Sequence, residues 1–137
     1  MKGFIYKIYD NTNGNCYYGS TKSPLNKRLH SHKSAYKNFC NGGSCKYCYS
    51  YKIIENGDYD ISLVEEVEYE NKQELHARER FYIENNECVN KILPNRDMKE
   101  YYITNKEKYL EYNRQNKEAR KVYNKRYKEK KKLERQE

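Results

Sequence analysis

Apolar residues are scarce in this chain. Hydrophobic residues fill 36% of its 137 positions and charged residues 35%, a lean supply for a compact core. No apolar run approaches the roughly 20 residues of a membrane-spanning helix, so no membrane partner is expected. Met1-Lys2-Gly3 leads straight into a strand-like pattern rather than into a signal peptide. The five cysteines are odd in number. Without a secretory signal they fit free thiols in an intracellular reducing compartment, cytoplasm or nucleus. Cys45 and Cys48 have the spacing of a metal knuckle, with Cys40 nearby. A closed zinc site needs four ligands, and neither Cys16, Cys88 nor the three histidines stand at a convincing spacing. Plain loop cysteines are therefore expected.

Basic residues are abundant but unevenly placed. Residues 1–95 hold 13 Lys+Arg against 12 Asp+Glu, net +1, whereas residues 96–137 hold 15 against 8, net +7. A near-neutral body with a basic tail points to a polyanionic partner, most simply nucleic acid; a solvated helix kept soluble by its charge is the plainer alternative. The division predicts a body over residues 1–95, closed by Pro94, and a tail over 96–137. In the tail, Tyr101, Tyr112 and Tyr123 recur every eleven residues, as do Asn105-Lys106-Glu107 and Asn116-Lys117-Glu118. Eleven residues are three helical turns, so the tyrosines form a nearly straight stripe on a long helix. With few aliphatics, that helix is expected to project singly, self-associate weakly, or order on DNA.

The body is organised around residues 3–20. Phe4 to Tyr9 is β-branched and aromatic, Cys16 to Gly19 forms a second arm, and Asp10 to Asn15 between them is a run of turn formers. Pairing centred on Asn13-Gly14 makes opposite residues sum to 27 and puts Tyr6 and Tyr17 on one face with Phe4, Ile8 and Gly19. A helix is expected from Pro24 to Lys37, with Ser23 as its cap. Arg28 and His32 lie on its apolar stripe beside Leu25, Leu29 and Tyr36, where they need partners. A helical turn from Tyr51 to Asn56 ends at Gly57. A third strand follows from Ile61 to Val67. Asn71 and Glu74 form a capping box for a helix from Lys72 to Asn85, and Glu79 stands inside its apolar stripe among Leu75, Tyr82 and Ile83. A carboxylate there pairs with a cation, holds a metal or titrates abnormally; an Arg28–Glu79 ion pair is the structural alternative.

Phe4-Ile5-Tyr6 followed by Tyr17-Tyr18-Gly19 resembles the signature of the GIY-YIG nuclease family. Phe4 stands in place of the first glycine and Tyr18 in place of the isoleucine. Arg28, His32, Glu79 and Asn90 follow in the family's order over residues 3–92. The resemblance implies an α/β (α+β) fold, a small three-stranded antiparallel sheet flanked by helices, here with a C-terminal helical extension. It implies a metal-dependent endonuclease acting on DNA, with Tyr6, Tyr17, Arg28, His32, Glu79 and Asn90 as site residues. Glu79 would ligate Mg²⁺ or Mn²⁺, Arg28 would face the phosphate, Tyr6 would take the proton of the attacking water with His32 behind it, and Tyr17 would orient water or phosphate. Asn90 rests on position alone. A DNA-binding module that keeps the fold without cutting is the alternative, and a structural helical scaffold a third.

Overall fold

The computed structural model describes residues 1–44 and 46–136. The chain divides into two compact units, Met1–Asn95 and Arg96–Glu137. The first contains β1 (Lys2–Asp10), β2 (Cys16–Thr21), α1 (Leu25–Cys40), α2 (Tyr51–Ile54), β3 (Tyr59–Glu68) and α3 (Lys72–Asn85). Its three strands form one antiparallel sheet in the order β2-β1-β3. The fold is thus α+β, a small sheet flanked by helices.

The central strand is buried on both faces. Ile5 packs on one side with Tyr69, Leu75 and Tyr82, against α3. Tyr6 and Ile8 pack on the other with Ile53, Leu25 and Leu29, against α2 and α1. Each such side chain removed from water contributes about 1.5–3 kcal/mol, so a few residues carry most of a small core. A bulge in β3 opposite Ile5 and Tyr6 lets that strand serve both sides: Val67 joins the α3 side and Ile61 the other.

The hairpin register differs from the expected one. Tyr6 lies opposite Gly19 and Ile8 opposite Tyr17, so paired residues sum to 25 rather than 27. The cause is Asp10. Its buried carboxylate accepts hydrogen bonds from Thr12 N at 2.8 Å, Thr12 Oγ1 at 2.5 Å and Asn56 Nδ2 at 2.7 Å. These contacts favour a wide loop from Asn11 to Asn15, in which Gly14 supplies a positive φ of 75°. A shift of two residues preserves side-chain direction, so Tyr6 and Tyr17 still share a face.

The start of α1 also differs. Pro24 occupies the cap position, and its carbonyl accepts Arg28 N at 3.1 Å. Ser23 does not cap; its own amide donates to Thr21 Oγ1 at 3.0 Å. Of the box expected before α3 the cap bond forms, with Asn71 Oδ1 accepting Glu74 N at 3.1 Å, while the Glu74 carboxylate takes the amide of Glu70, one residue before the cap, at 2.9 Å.

The second unit holds α4 (Met98–Gln115) and α5 (Lys117–Glu134). Where the tyrosine stripe predicts one helix, there are two, separated at Asn116. The Asn116 side chain donates to the Tyr112 carbonyl at 2.7 Å, the same bond that Asn105 makes to Tyr101 at 2.9 Å inside the unbroken α4. Neither helix has a buried residue. Among the described residues, no helix is long and apolar enough to cross a membrane.

Candidate active site

β2 is an edge strand, and the candidate site wraps around its free edge. Alternation along β2 sends Tyr17 and Gly19 to the α1 side and Tyr18 and Ser20 to the α3 side. Residues from both faces therefore converge at one place. They line a cleft of about 310 Å³ that includes Tyr17, Cys48, His76, Glu79 and Asn90.

Behind the cleft, on the α1 side, Tyr6 is the hub. It is fully buried. Its Oη accepts the Nε–H of Arg28 at 2.9 Å and lies 2.7 Å from His32 Nε2. His32 is buried one turn along α1, and its Nδ1 is 3.0 Å from the hydroxyl of Ser50. Its ring meets both tyrosines edge-on, with centroids 5.9 Å from Tyr6 and 5.6 Å from Tyr17. Gly19 is what makes room for this hub. It sits opposite Tyr6, and a Cβ there would overlap the phenol oxygen and lie 2.5 Å from Cζ.

The electrostatics follow from burial. Burial pushes the Tyr6 phenol up to about 12, against the pull of the Arg28 cation. Burial also drives Tyr17 well above the usual phenol range. His32 is pushed down to about 4 by burial, with Arg28 adding repulsion. Burial opposes the charge on Arg28, but its contacts with Tyr6, Tyr17 and Cys48 outweigh that, and its pKa is raised. At neutral pH the hub is therefore two neutral phenols, a neutral imidazole and one guanidinium.

On the α3 side, Glu79 accepts the Ser20 hydroxyl on Oε2. Burial raises its pKa, opposed by the Ser20 bond and by His76 and Arg28. Its hydrogen bond comes from Ser20, and Arg28 gives its Nε to Tyr6, so the Arg28–Glu79 pairing weighed from sequence is not what holds either group. Asn90 clamps the β2 edge: Oδ1 accepts Tyr18 N at 2.9 Å and Nδ2 donates to Tyr18 O at 2.8 Å. Both ends of its amide are thus engaged by main chain. Val89 N adds a bond to Cys16 O at 2.8 Å.

Residues 2–92 match the family described as the GIY-YIG catalytic domain. The chain belongs to the GIY-YIG family. A mutant of the catalytic domain of intron endonuclease I-TevI is a similar solved structure, at 28% identity and a TM-score of 0.45, covering 61% of this chain and 82% of that one. No curated protein matches the chain.

Of the GIY-YIG residues expected from sequence, the structure gathers Tyr6, Arg28 and His32 into direct contact. It places Tyr17 and Glu79 on the cleft, and it gives Asn90 a main-chain clamp beside them. Sequence reasoning missed Ser50, Cys48, Ser20 and His76. Ser50 is fully buried under His32. Cys48, read as a loop cysteine, has its Sγ 3.2 Å from Ser50 Oγ and 3.8 Å from Tyr17 Oη. Cys45 lies outside the described residues. Among those described, no group of three or more His, Cys, Asp or Glu is arranged to hold a metal. The one signal for His76 was its position three residues before Glu79, on the same helical face.

Proposed function

We propose that the body is a metal-dependent endonuclease that hydrolyses DNA phosphodiester bonds. The observation that carries this reading is the cleft itself: one half-buried carboxylate, Glu79, stands across from a tyrosine hydroxyl backed by the Arg28–Tyr6–His32 contacts. A binding module has no need of a carboxylate on an apolar stripe whose burial disfavours its charge.

The donor set tests the fit of a cation. Glu79 is the cleft's carboxylate, and Ser20 engages only Oε2, which leaves Oε1 for a hard ion. One protein oxygen suits Mg²⁺ or Mn²⁺, since Mg²⁺ keeps most of its shell as water and substrate oxygens. When bound, the ion supplies charge neutralisation at the phosphorane and a more acidic water.

The chain's own residues do the rest. Arg28 offers its Nη groups to phosphate oxygens in a fork. Because its Nε caps Tyr6 Oη, a phosphate that draws the guanidinium away uncovers that oxygen. The same departure relieves His32 of a repelling cation. Tyr6, too buried to act as a free phenolate, then takes a water proton on Oη while passing its own to His32 Nε2. Tyr17 presents its hydroxyl to the cleft and orients the phosphate. Asn90 acts at one remove, holding the β2 backbone that carries Tyr17 and Gly19.

The tail is read as a DNA-affinity element. α5 carries nine basic residues, and at 100° per residue seven of them, Lys117, Arg120, Lys121, Lys125, Lys128, Lys131 and Lys132, fall within an arc of about 140°, with Arg126 and Lys130 outside it. Such a stripe meets phosphates. The test of the reading is incubation with supercoiled, linear and branched DNA, with and without Mg²⁺. Strand scission that needs the ion supports it. Tight binding without scission under every condition assigns the non-cleaving alternative.

A further inference from the structure

Ser50 and Cys48 lie between the two tyrosines, and nothing in the reading above gives them a task. Ser50 Oγ sits 3.0 Å from His32 Nδ1 and 3.2 Å from Cys48 Sγ. Cys48 Sγ in turn lies 3.8 Å from Tyr17 Oη. With the Arg28–Tyr6 and Tyr6–His32 contacts, six side chains form one unbroken line of hydrogen bonds.

The direction of that line follows from counting protons. A guanidinium can only donate, so Tyr6 Oη is an acceptor from Arg28. Tyr6 is fully buried, and a buried O–H needs an acceptor. The acceptor within reach is His32 Nε2. A neutral imidazole that accepts on Nε2 carries its proton on Nδ1, and that proton goes to Ser50 Oγ. Ser50 then gives its own hydrogen to Cys48 Sγ, and Cys48 gives its S–H to Tyr17 Oη. At the end of the line Tyr17 is an acceptor from within, which leaves its own O–H for the cleft.

We propose that Ser50 and Cys48 are positioning residues: Ser50 holds the Nδ1 proton of the His32 tautomer that leaves Nε2 bare toward Tyr6, and through Cys48 the line turns the Tyr17 hydroxyl hydrogen outward. For the hydrolysis proposed above, on which the kinetic part of this inference rests, the arrangement has two uses. His32 Nε2 is the atom that must receive the Tyr6 proton when Tyr6 takes one from water; the ring becomes imidazolium, its Nδ1–H still held by Ser50. A Tyr17 O–H aimed into the cleft is a donor to a phosphate oxygen and not a proton acceptor. A serine turned the other way, donating to Nδ1, would place the imidazole proton on Nε2 and block the transfer.

Side-chain ¹⁵N NMR of His32 tests the assignment without reference to activity. In the full-length wild type at pH 7, Nδ1 is expected to resonate as the protonated nitrogen and Nε2 as the bare one. In Ser50→Ala, which removes the Nδ1 acceptor, Nδ1 is expected to stay the protonated nitrogen because Tyr6 still donates to Nε2, but its proton resonance should move upfield as the hydrogen bond to Ser50 is lost. In single-turnover cleavage, Ser50→Ala and Cys48→Ala should each lower the rate on the order of 10–100-fold, as supporting-residue losses do, with DNA affinity unchanged. Cys48→Ser, which keeps a donor and an acceptor, should restore most of it. A wild-type ring protonated on Nε2, or an Nδ1 proton resonance that Ser50→Ala leaves unmoved, overturns the proposal. If no variant and no wild type cuts DNA, the nuclease reading fails, and the NMR result still decides the tautomer.

Discussion

Residue by residue, the cost of building this cleft is seen most clearly at His32. Its pKa falls to about 4 in the folded body, against about 6.5 for a free histidine. The unfolded chain therefore binds the proton more readily between these values. The stability His32 contributes is present above about 6.5 and is lost as pH falls toward 4, by roughly 2–3 kcal/mol. Glu79, whose pKa is raised, acts in the opposite sense: its contribution is present at low pH and is lost as pH rises through its folded pKa. The two are separated by comparison with His32→Gln. Urea unfolding of wild type across pH 4 to 6.5 should show a rising midpoint with pH, and His32→Gln should flatten that rise. An equal slope in both proteins would mean that His32 is not buried neutral.

Gly19 makes a second prediction at the same scale. A Cβ there overlaps the Tyr6 phenol, and overpacking of this kind costs about 1–3 kcal/mol. Gly19→Ala should lower the unfolding midpoint and reduce cleavage together. The glycine's spelling was legible in the chain; its reason was not. The space a side chain would take there is filled by a ring on the neighbouring strand.

Among the elements, the strands and α3 were readable because their patterns are local. The β-branched run of β1, the Asn71–Glu74 cap bond and the Gly57 stop each act within a few residues. The hairpin register was not readable, because part of what holds Asp10 in the loop is Asn56, 46 residues away. Ser50 and Cys48 were hidden for a similar reason. They precede α2 in an irregular stretch with no periodicity, and only the fold brings them under α1. Asn90 belongs with these. Its position was legible, but its two bonds to Tyr18 main chain make it a staple on the β2 edge. Asn90→Ala leaves two buried-edge groups unpaired and should cost about 1–3 kcal/mol. Hydrogen exchange at the Tyr18 amide should accelerate in that variant. Unchanged protection there would show that the clamp is not formed in solution.

For the molecule as a whole, charge and chemistry are separated along the sequence. The body of net +1 holds the cleft, and the tail of net +7 holds the basic stripe of α5. Truncation after Asn95, at the boundary between the two units, should leave a folded body. It should bind DNA more weakly and show a shallower slope of log affinity against log salt, because fewer counterions are released. Its cutting rate at saturating DNA should change little. An unchanged salt slope would move the tail from DNA contact to self-association. The central claim, however, is that Glu79 serves chemistry in the cleft. Its most direct test is single-turnover cleavage by wild type and Glu79→Gln in Mg²⁺ and in EDTA, with folding and DNA affinity measured in parallel. The account predicts cutting by wild type in Mg²⁺ alone, and a folded, DNA-binding Glu79→Gln that does not cut. Undiminished cleavage by Glu79→Gln, or by wild type in EDTA, would contradict it.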